Sequence, residues 1–433
     1  MNQYVKIYPN ISFPITHQVG GVNGPFQFVI PRGSSFNLSQ STFNLTKYID
    51  GVSGNYTYST NLASMYINRI TVYNSSRQVL QDIVNSDSFS NHTQMFVKHS
   101  TTGLKDLINS DGLSSSNYLT QVLAERSVFP DLNLIPVAEL QVSVQYVRAG
   151  TPSLWTVTVG TNQNQYLAVS SKLGTMYPKT LFSIDSTFLS DEELVIELTL
   201  NPPENVCFYG AGGSASVAPT SYPTTASNSK IYNLYLNIYS GTSLAPIRNM
   251  TCKYVEPELQ KILVNSSSSH NVRFQLKENR HIAFITWSPY INNPTGTSMF
   301  GNSIKAVTRA PLSSLGSPLL SYDLRLDGNP IVQSSPVNVD MSEHTNVNKK
   351  HYNDSITSNI MWLSSLWFVH ISTFNNNSFS NLNVNEDHTL VLHKQAEISL
   401  DTVWSGSETR VNQFVIGYLK TLTVKDGIFS CTY

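Results

Sequence analysis

The run Gly210-Ala211-Gly212-Gly213 is the feature of this sequence closest to a nucleotide-binding loop. A dinucleotide site needs such glycines to open a helix whose amino end holds the pyrophosphate. Residues 214–225 contain Pro219 and Pro223, and two prolines at that spacing exclude the helix. We therefore predict a long loop over 210–229 and no phosphate site.

The ten histidines are dispersed along the chain. His388 and His393 flank one predicted strand, and a spacing of five places them on opposite faces of it. His92 and His99 could share a helix face, but no cysteine or carboxylate lies beside them to complete a metal site. We expect surface or core histidines, with a metal site built from distant residues as the alternative.

The cysteines and acidic residues also give no catalytic pattern. Cys207, Cys252 and Cys431 are scattered and odd in number, so they predict neither a disulfide framework nor a nucleophile with a nearby base. The acidic run 191–193 precedes a strand and is typical of a solvated sheet edge. We predict no catalytic, cofactor-binding or metal-binding residue, no cofactor and no small-molecule substrate, and expect that the protein is not an enzyme.

The composition of the 433 residues favours β-structure with a polar, weakly charged surface. Charged residues make up 13% of the chain, about half the usual share. Serine, threonine and asparagine replace them, which suits a sheet surface. The formal net charge of -1 excludes a nucleic-acid binder that works by bulk charge. No secretory signal follows Met1, and the apolar stretch 360–371 is too short to span a bilayer.

Alternating apolar and polar residues predict strands along most of the chain. Leu140 to Tyr146, Trp155 to Val159 and Leu194 to Leu200 each place apolar side chains on one face. Further strands are predicted over 231–239, 272–276, 282–287, 319–326, 388–400 and 411–424. Turn-rich clusters separate these runs, as at Asp327-Gly328-Asn329-Pro330. The chain is therefore predicted to be all-β.

Few segments carry helical signals. Glu256 to Leu263 places a proline in a first turn beside acidic residues, which predicts a short helix. Tyr352, Ile356, Ile360 and Leu363 form an apolar stripe within a second predicted helix, 347–364. Residues 116–128 and 89–99 are weaker candidates. We expect each to be a short helix packed on the end of a sheet.

The break at Asn201-Pro202-Pro203 predicts a boundary between two halves of similar length, residues 1–203 and 204–433. The halves share a strand, turn and strand pattern. It runs from Ile70 to Gln81 in the first half and from Tyr322 to Gln333 in the second. Either an internal duplication or two unrelated hairpins would explain this match.

Several segments together resemble the double jelly-roll major capsid proteins of tailless icosahedral double-stranded DNA viruses, the group of adenovirus hexon, virophages and Polinton-like viruses. The opening stretch Phe26 to Leu38 resembles their first strands, and so does Met65 to Ile83. The stretch from Leu326 to Ile331, with the strands 367–372 and 390–400, resembles their C-terminal roll. The resemblance covers nearly the whole chain, although no single motif in it is diagnostic.

This resemblance implies two consecutive jelly-roll β-sandwiches with a few short helices. It further implies a homotrimer that forms pseudo-hexagonal capsomers and tiles an icosahedral shell around double-stranded DNA. The partners would be neighbouring capsomers, penton and minor capsid proteins, and an internal membrane or the genome on the inner face. The protein would be located in the virion capsid, made and assembled inside the host cell. Loops 210–229 and 266–270 would form tops or interlock neighbouring subunits.

Two other functions remain open from the sequence. A β-sandwich adhesin or glycan-binding protein, as in a fibre, would use some of the 22 tyrosines and five tryptophans to stack on sugars. A glycoside-active β-enzyme would need a pair of carboxylates about 5 to 9 Å apart. Ten N-x-[ST] sequons also suggest a glycoprotein, but the abundance of asparagine, serine and threonine accounts for a number of that order.

Overall fold

The computed structural model describes most of both halves of the chain. The described residues are 4–18, 20–49, 54–58, 66–86, 89–90, 142–147, 154–159, 165–203, 207–210, 229–241, 246–291, 319–330, 337–338, 369–371, 390–391 and 396–433. The predicted helices over 116–128 and 347–364, most of 89–99, and most of the loop 210–229 lie outside these residues.

Strands dominate the described residues, as the alternation predicts. In the first half they are β1 (Tyr4–Ile7), β2 (Ile15–Thr16), β3 (Asn23–Ile30), β4 (Ser35–Ile49), β5 (Gly54–Tyr58), β6 (Ile67–Tyr73), β7 (Val79–Val84), β8 (Val142–Val147), β9 (Leu154–Val159), β10 (Gln165–Lys172), β11 (Phe188–Leu189) and β12 (Leu194–Leu200). A short helix α1 (Leu173–Met176) and a 3-10 turn (Leu181–Ser183) follow β10.

The described strands after residue 203 include both the longest strands and several of two or three residues. They are β13 (Cys207–Gly210), β14 (Ser229–Tyr239), β15 (Met250–Leu276), β16 (His281–Ile291), β17 (Leu319–Leu326), β18 (Asn329–Pro330), β19 (Val337–Asn338), β20 (Val369–Ile371), β21 (Leu390–Val391), β22 (Ala396–Lys425) and β23 (Ile428–Thr432). Among the described residues, no helix is both long and apolar enough to cross a bilayer.

Two antiparallel sheets enclose the core of the first half. One has the order β1-β14-β4-β10, with β2 and β11 at its margins, and the other has the order β3-β12-β6-β7. Phe43 and Leu45 of the first sheet and Phe28, Ile70 and Ile196 of the second are at most 1% exposed and belong to one apolar core. A further small sheet has the order β13-β5-β9-β8.

The strand β14 lies beyond the predicted boundary at residue 203 yet pairs with β4 of the first half. Its register joins Leu234 to Leu45 and Leu236 to Phe43. Both leucines are fully buried in the same core as their partners. The pairing of the first half therefore includes residues on the C-terminal side of Asn201-Pro202-Pro203, and the division at that point stays a prediction.

The second half is built around one bent ribbon of β15 and β22. Residues 250–264 of β15 pair with 410–424 of β22, and residues 269–276 pair with 396–403. The register shifts on both sides of Ser267, which is the kind of irregularity that bends a ribbon. The predicted loop 266–270 is thus wrong, because these residues form the bend inside a continuous strand.

The ribbon has two limbs, one on each side of the bend, formed by 250–264 with 410–424 and by 269–276 with 396–403. These limbs face each other across a second core. β16 pairs with the limb at 410–418, and β17 pairs with the limb at 398–404. The buried rings of Trp287 on β16 and Tyr322 on β17 lie 5.8 Å apart between centroids. The second sandwich therefore closes because each long strand contributes to both of its layers.

The helix predicted over 256–263 is also wrong, because these residues lie in β15. They pair with residues 411–418 of β22, with Pro257 opposite Gly417. Among the described strands β15 pairs only with β22, so its other edge tolerates a residue without an N–H group. Local helix propensity is a weak preference, and here the cross-strand partners override it.

Two Asp-Gly turns close hairpins in the second half. Asp327 and Gly328 have φ of 47° and 78°, and Asp426 and Gly427 have φ of 51° and 78°. Two successive positive φ values match the turn that suits the twist of a two-residue hairpin. The predicted turn at Asp327-Gly328-Asn329-Pro330 is confirmed, and the second turn joins β22 to β23.

Candidate functional site at the junction of the two halves

The predicted absence of a catalytic centre leaves the contact between the two halves as the candidate functional site. In the described part of the chain, no group of three or more His, Cys, Asp and Glu residues could hold a metal ion. Gly210 ends β13, while residues 211–213 and the pairs His92/His99 and His388/His393 lie outside the described residues.

The junction consists of three segments of the first half packed on three of the second. The first half contributes the turn 74–78, strand β7 and the segment 187–192. The second half contributes the start of β15, the end of β22, and β23. The sequence predicted a turn at 74–76 and strands at 79–81 and 411–424, and only the fold brings these segments together with the others.

Asparagine and glutamine side chains of the turn 74–78 tie it to β23. The Asn74 amide nitrogen donates to the Phe429 carbonyl at 2.9 Å, and the Gln78 amide nitrogen donates to the Cys431 carbonyl at 3.0 Å. The Asn74 amide oxygen also accepts from the Gln78 N–H at 2.8 Å within the turn. The side chains thus replace a sheet ladder between two segments 355 residues apart.

Glu192 is the central polar residue of the junction. Its carboxylate accepts from the Phe429 N–H at 2.6 Å and from the Ser75 N–H at 3.1 Å. The Ser75 hydroxyl donates to the carboxylate oxygen that also accepts from the Ser75 N–H. Glu192 is 7% exposed, so these bonds to a charged group form largely away from water. One side chain therefore holds the 187–192 segment, the β6–β7 turn and β23 together.

The prediction that 191–193 forms a solvated edge is wrong for Glu192 and holds for Glu193, which is exposed. Asp191 is partly exposed and forms an ion pair with Arg248. No local pattern distinguishes the buried acid from its neighbours, because its partners come from residues 75 and 429. Sequence reasoning missed this residue for that reason.

Backbone bonds around Gly427 reinforce the junction. The Asp191 N–H donates to the Gly427 carbonyl at 2.9 Å, and the Gly427 N–H donates to the Arg248 carbonyl at 2.9 Å. A Cβ at Gly427 would lie 2.8 Å from the Leu189 carbonyl oxygen. Glycine is therefore required here both by the positive φ and by the close approach of the chain.

Lys420 and Tyr254 connect the second half to β7. The Lys420 ammonium donates to the Val79 carbonyl at 3.0 Å and lies 2.6 Å from the Glu256 carboxylate, with 5% and 12% of the two side chains exposed. The Tyr254 hydroxyl donates to the Leu80 carbonyl. Burial raises the pKa of the Tyr254 phenol far above its ordinary value, so it stays a donor at neutral pH.

Apolar packing makes the junction continuous with the core of the first half. The rings of Phe36 on β4, Phe188 on β11 and Phe429 on β23 form a triangle with centroids 5.6 to 5.8 Å apart. All three are at most 3% exposed. Aromatic rings at such distances add to the free energy of burial, so the two halves share one core at this place.

Two buried cysteines of the junction have no reactive surroundings. Cys252 and Cys431 are free and lie on either side of Leu422 in the ladder of β15, β22 and β23. Burial raises the pKa of the Cys252 thiol to about 11 and also raises that of Cys431. Raised pKa values keep both thiols protonated at neutral pH.

The arrangement of these residues joins the two sandwiches, because the bonds of Asn74, Glu192 and Lys420 each cross from one half to the other.

Searches with the sequence find no matching family model and no matching curated protein. The fold, in contrast, is similar to solved viral structures along nearly its full length. The mavirus major capsid protein has a TM-score of 0.56 at 9% identity, covering 99% of this chain and 90% of that one. A Sputnik virophage chain has a TM-score of 0.53 at 10% sequence identity, and the match covers 99% of this chain and 88% of that one. The Faustovirus major capsid protein has a TM-score of 0.52 at 10% sequence identity, and the match covers 98% of this chain and 90% of that one.

These three structures are double jelly-roll capsid proteins. The described strands agree with that architecture: two sandwiches in succession, each with its own core and joined by a shared apolar region. The chain has the double jelly-roll fold of viral major capsid proteins.

Proposed function

We propose that the protein is a major capsid protein that forms homotrimers and tiles an icosahedral shell around double-stranded DNA. The observation that carries this proposal is the double jelly-roll fold over 98–99% of the chain, shared with the capsid proteins of mavirus and Faustovirus. At 9–10% identity the likeness supports the fold, and the shell-forming role is inferred from it together with the junction.

The junction suits a subunit that contributes two lobes to a pseudo-hexagonal trimer. Six lobes fill a hexagonal position only when the two lobes of each subunit keep a fixed spacing. Glu192, Lys420 and the ring triangle at Phe429 would supply that rigidity. We propose the lobes as residues 1–203 and 204–433, with β14 reaching across to the first sheet.

The partners of this function would be the neighbouring capsomers, penton and minor capsid proteins, and a membrane or the genome under the shell. We propose the virion capsid as its location, with assembly inside the host cell. The weakly charged surface, with 13% charged residues, would limit repulsion between densely packed copies. No small molecule is required for any of these roles.

Two tryptophans of the second sandwich give no support to the adhesin alternative. Trp287 and Trp404 are 0% and 2% exposed and donate to Asn412 and Thr402 inside the second sandwich. Neither ring is available to stack on a sugar. The buried sequon residues Asn37, Asn44 and Asn74, at 3–5% exposure, likewise offer no surface for a glycan.

Light scattering on the purified protein, with negative-stain images of the same peak, tests the proposal. The expected result is a stable particle of about three times 48.1 kDa with hexagonal outlines, or closed shells. A compact monomer that persists at high protein concentration would contradict the capsid function.

A further inference from the structure

The N-terminal arm, residues 4–16, forms the outermost strand of the first sheet. Its two short ladders pair residues 4–7 with 236–239 and residues 15–16 with 230–231 of β14. No described strand pairs with the other edge of the arm. The arm is therefore attached to the protein along one side only.

The arm carries apolar side chains on both of its sides. Ile7, Phe13 and Ile15 are partly buried against the core of the first half. On the solvent side the large apolar side chains are Tyr4, Val5, Tyr8 and Ile11, which are 44–53% exposed. A run of exposed apolar side chains on an edge strand marks a surface that another chain covers.

The attachment of the arm differs from the attachment of its base. At the base His17 is buried, with its Nε2 2.8 Å from the Asn201 carbonyl, and the Gln18 N–H donates to Asn23 at 2.7 Å. Among the described residues, no side chain of the arm forms a hydrogen bond or ion pair with the rest of the chain. Ladder bonds, partial burial, the contact of the Tyr8 ring with Tyr235 and the Lys6 ammonium 4.6 Å from the centre of the same Tyr235 ring hold it.

Leaving β14 therefore costs the described arm its ladder and its ring contacts but no side-chain hydrogen bond or ion pair, while its base stays fixed. Thirteen extended residues span about 43 Å, enough to reach beyond the surface of their own subunit. The β14 edge is shown to accept this segment, so the same edge of a second copy is complementary to it. Exchange between identical copies keeps the same ladder and changes the hinge, and new contacts form only where the two copies meet.

We propose that, in the assembled protein, the arm of one copy pairs with β14 of a neighbouring copy. The arm then lies between two subunits, and its apolar side chains are covered on both sides. The occupant of the β14 edge is a second copy of this chain, and the proposal rests on the assembly stated under the proposed function.

Crosslinking of co-assembled single-cysteine variants tests the exchange directly. Lys6 and Asn237 are partners in the ladder between the arm and β14. Chains carrying Lys6→Cys are mixed with chains carrying Asn237→Cys, assembled, and treated with a short bifunctional thiol crosslinker. No chain then carries both thiols, so a Lys6→Cys to Asn237→Cys crosslink can form only between copies.

The expected result is a covalent dimer at least tenfold more abundant in the mixed assembly than in either variant assembled alone. Wild-type protein controls for its own thiols, of which Cys252 and Cys431 are buried. The double variant Lys6→Cys/Asn237→Cys, crosslinked as dilute unassembled chains, shows that the ladder pair is reactive.

Two other outcomes would overturn the inference in distinguishable ways. Assembly without a mixed dimer, while the double variant crosslinks within one chain, would show that the arm stays on its own subunit although the capsid function stands. Failure of wild-type protein to assemble would reject the proposed function and the exchange with it.

Discussion

Asp82 on the outer face of the first half and Glu192 in the junction are both carboxylates that accept three hydrogen bonds, but their partners and surroundings differ. Asp82 accepts from Thr71 at 3.1 Å and forms a two-pronged pair with Arg69 at 2.7 and 2.8 Å, with 45% of the Arg69 side chain exposed. Glu192 accepts from two backbone N–H groups and a hydroxyl and is 7% exposed.

The difference shows how burial decides what a carboxylate does for the fold. The outer pair competes with water and with dissolved salt, so it contributes little free energy. The Glu192 carboxylate is shielded from water, so removing it leaves buried backbone N–H groups without an acceptor. Asp82 forms a solvent-accessible pair on the face of a sheet, whereas Glu192 bonds segments of both sandwiches to each other.

The largest expected effect comes from the apolar part of the junction. Phe429→Ala should lower the free energy of unfolding by about 4 kcal/mol, because it removes a ring from the triangle with Phe36 and Phe188 and leaves a cavity. Chemical denaturation followed by tryptophan fluorescence measures the change. The matched control is Ile428→Ala, a neighbour that is 55% exposed and should cost less than about 0.5 kcal/mol. Equal losses would show that the ring triangle is not a shared core.

A substitution at the buried carboxylate tests the comparison itself. Glu192→Gln should cost about 2 kcal/mol, because the amide offers an NH₂ group where a backbone N–H needs an acceptor. Hydrogen exchange at the Phe429 amide should become faster in the same variant. Asp82→Asn on the outer face is the control, with an expected cost below about 1 kcal/mol. A larger cost at Asp82 than at Glu192 would reverse the interpretation.

Burial also predicts a pH dependence at His17. Desolvation and the nearby Lys47 ammonium lower the pKa of His17 to about 3, and the bond to the Asn201 carbonyl opposes this with a smaller upward effect. The unfolded chain then binds a proton that the folded chain does not, so stability should fall as pH falls from about 6.5 to about 3. The slope from this residue approaches 1.4 kcal/mol per pH unit.

Denaturation midpoints at several pH values measure this slope, and His17→Gln serves as the comparison. The variant should have a flatter profile over the same range, since glutamine does not titrate. An unchanged slope in the variant would assign the acid sensitivity to other groups.

The smallest effect is expected at the outer ion pair. Arg69→Ala should lower the free energy of unfolding by about 0.5 kcal/mol at low salt, because the pair with Asp82 is exposed and screened. The difference from wild type should shrink further at 1 M salt. A loss that is large and independent of salt would place Arg69 among the structural residues.

Much of the local structure was predictable from short patterns. The alternation over 194–200 and 319–326 corresponds to β12 and β17, and the Asp327-Gly328 turn closes a hairpin. The resemblance to double jelly-roll proteins is confirmed at the level of the fold. The two secondary-structure predictions that fail, the helix over 256–263 and the loop 266–270, both lie in β15, whose 27 residues are held by a partner strand about 150 residues away.

Short sequence patterns alone predict where apolar and polar residues alternate, where the chain turns, and that charged residues are few. These properties depend on neighbours in the chain, so a linear pattern contains them. Only the tertiary structure decided that β14 joins β4, that β15 and β22 bend together, and that Glu192 rather than Glu193 is buried. Each of these depends on partners far apart in sequence, whose contacts release water and satisfy backbone groups only once the chain is folded.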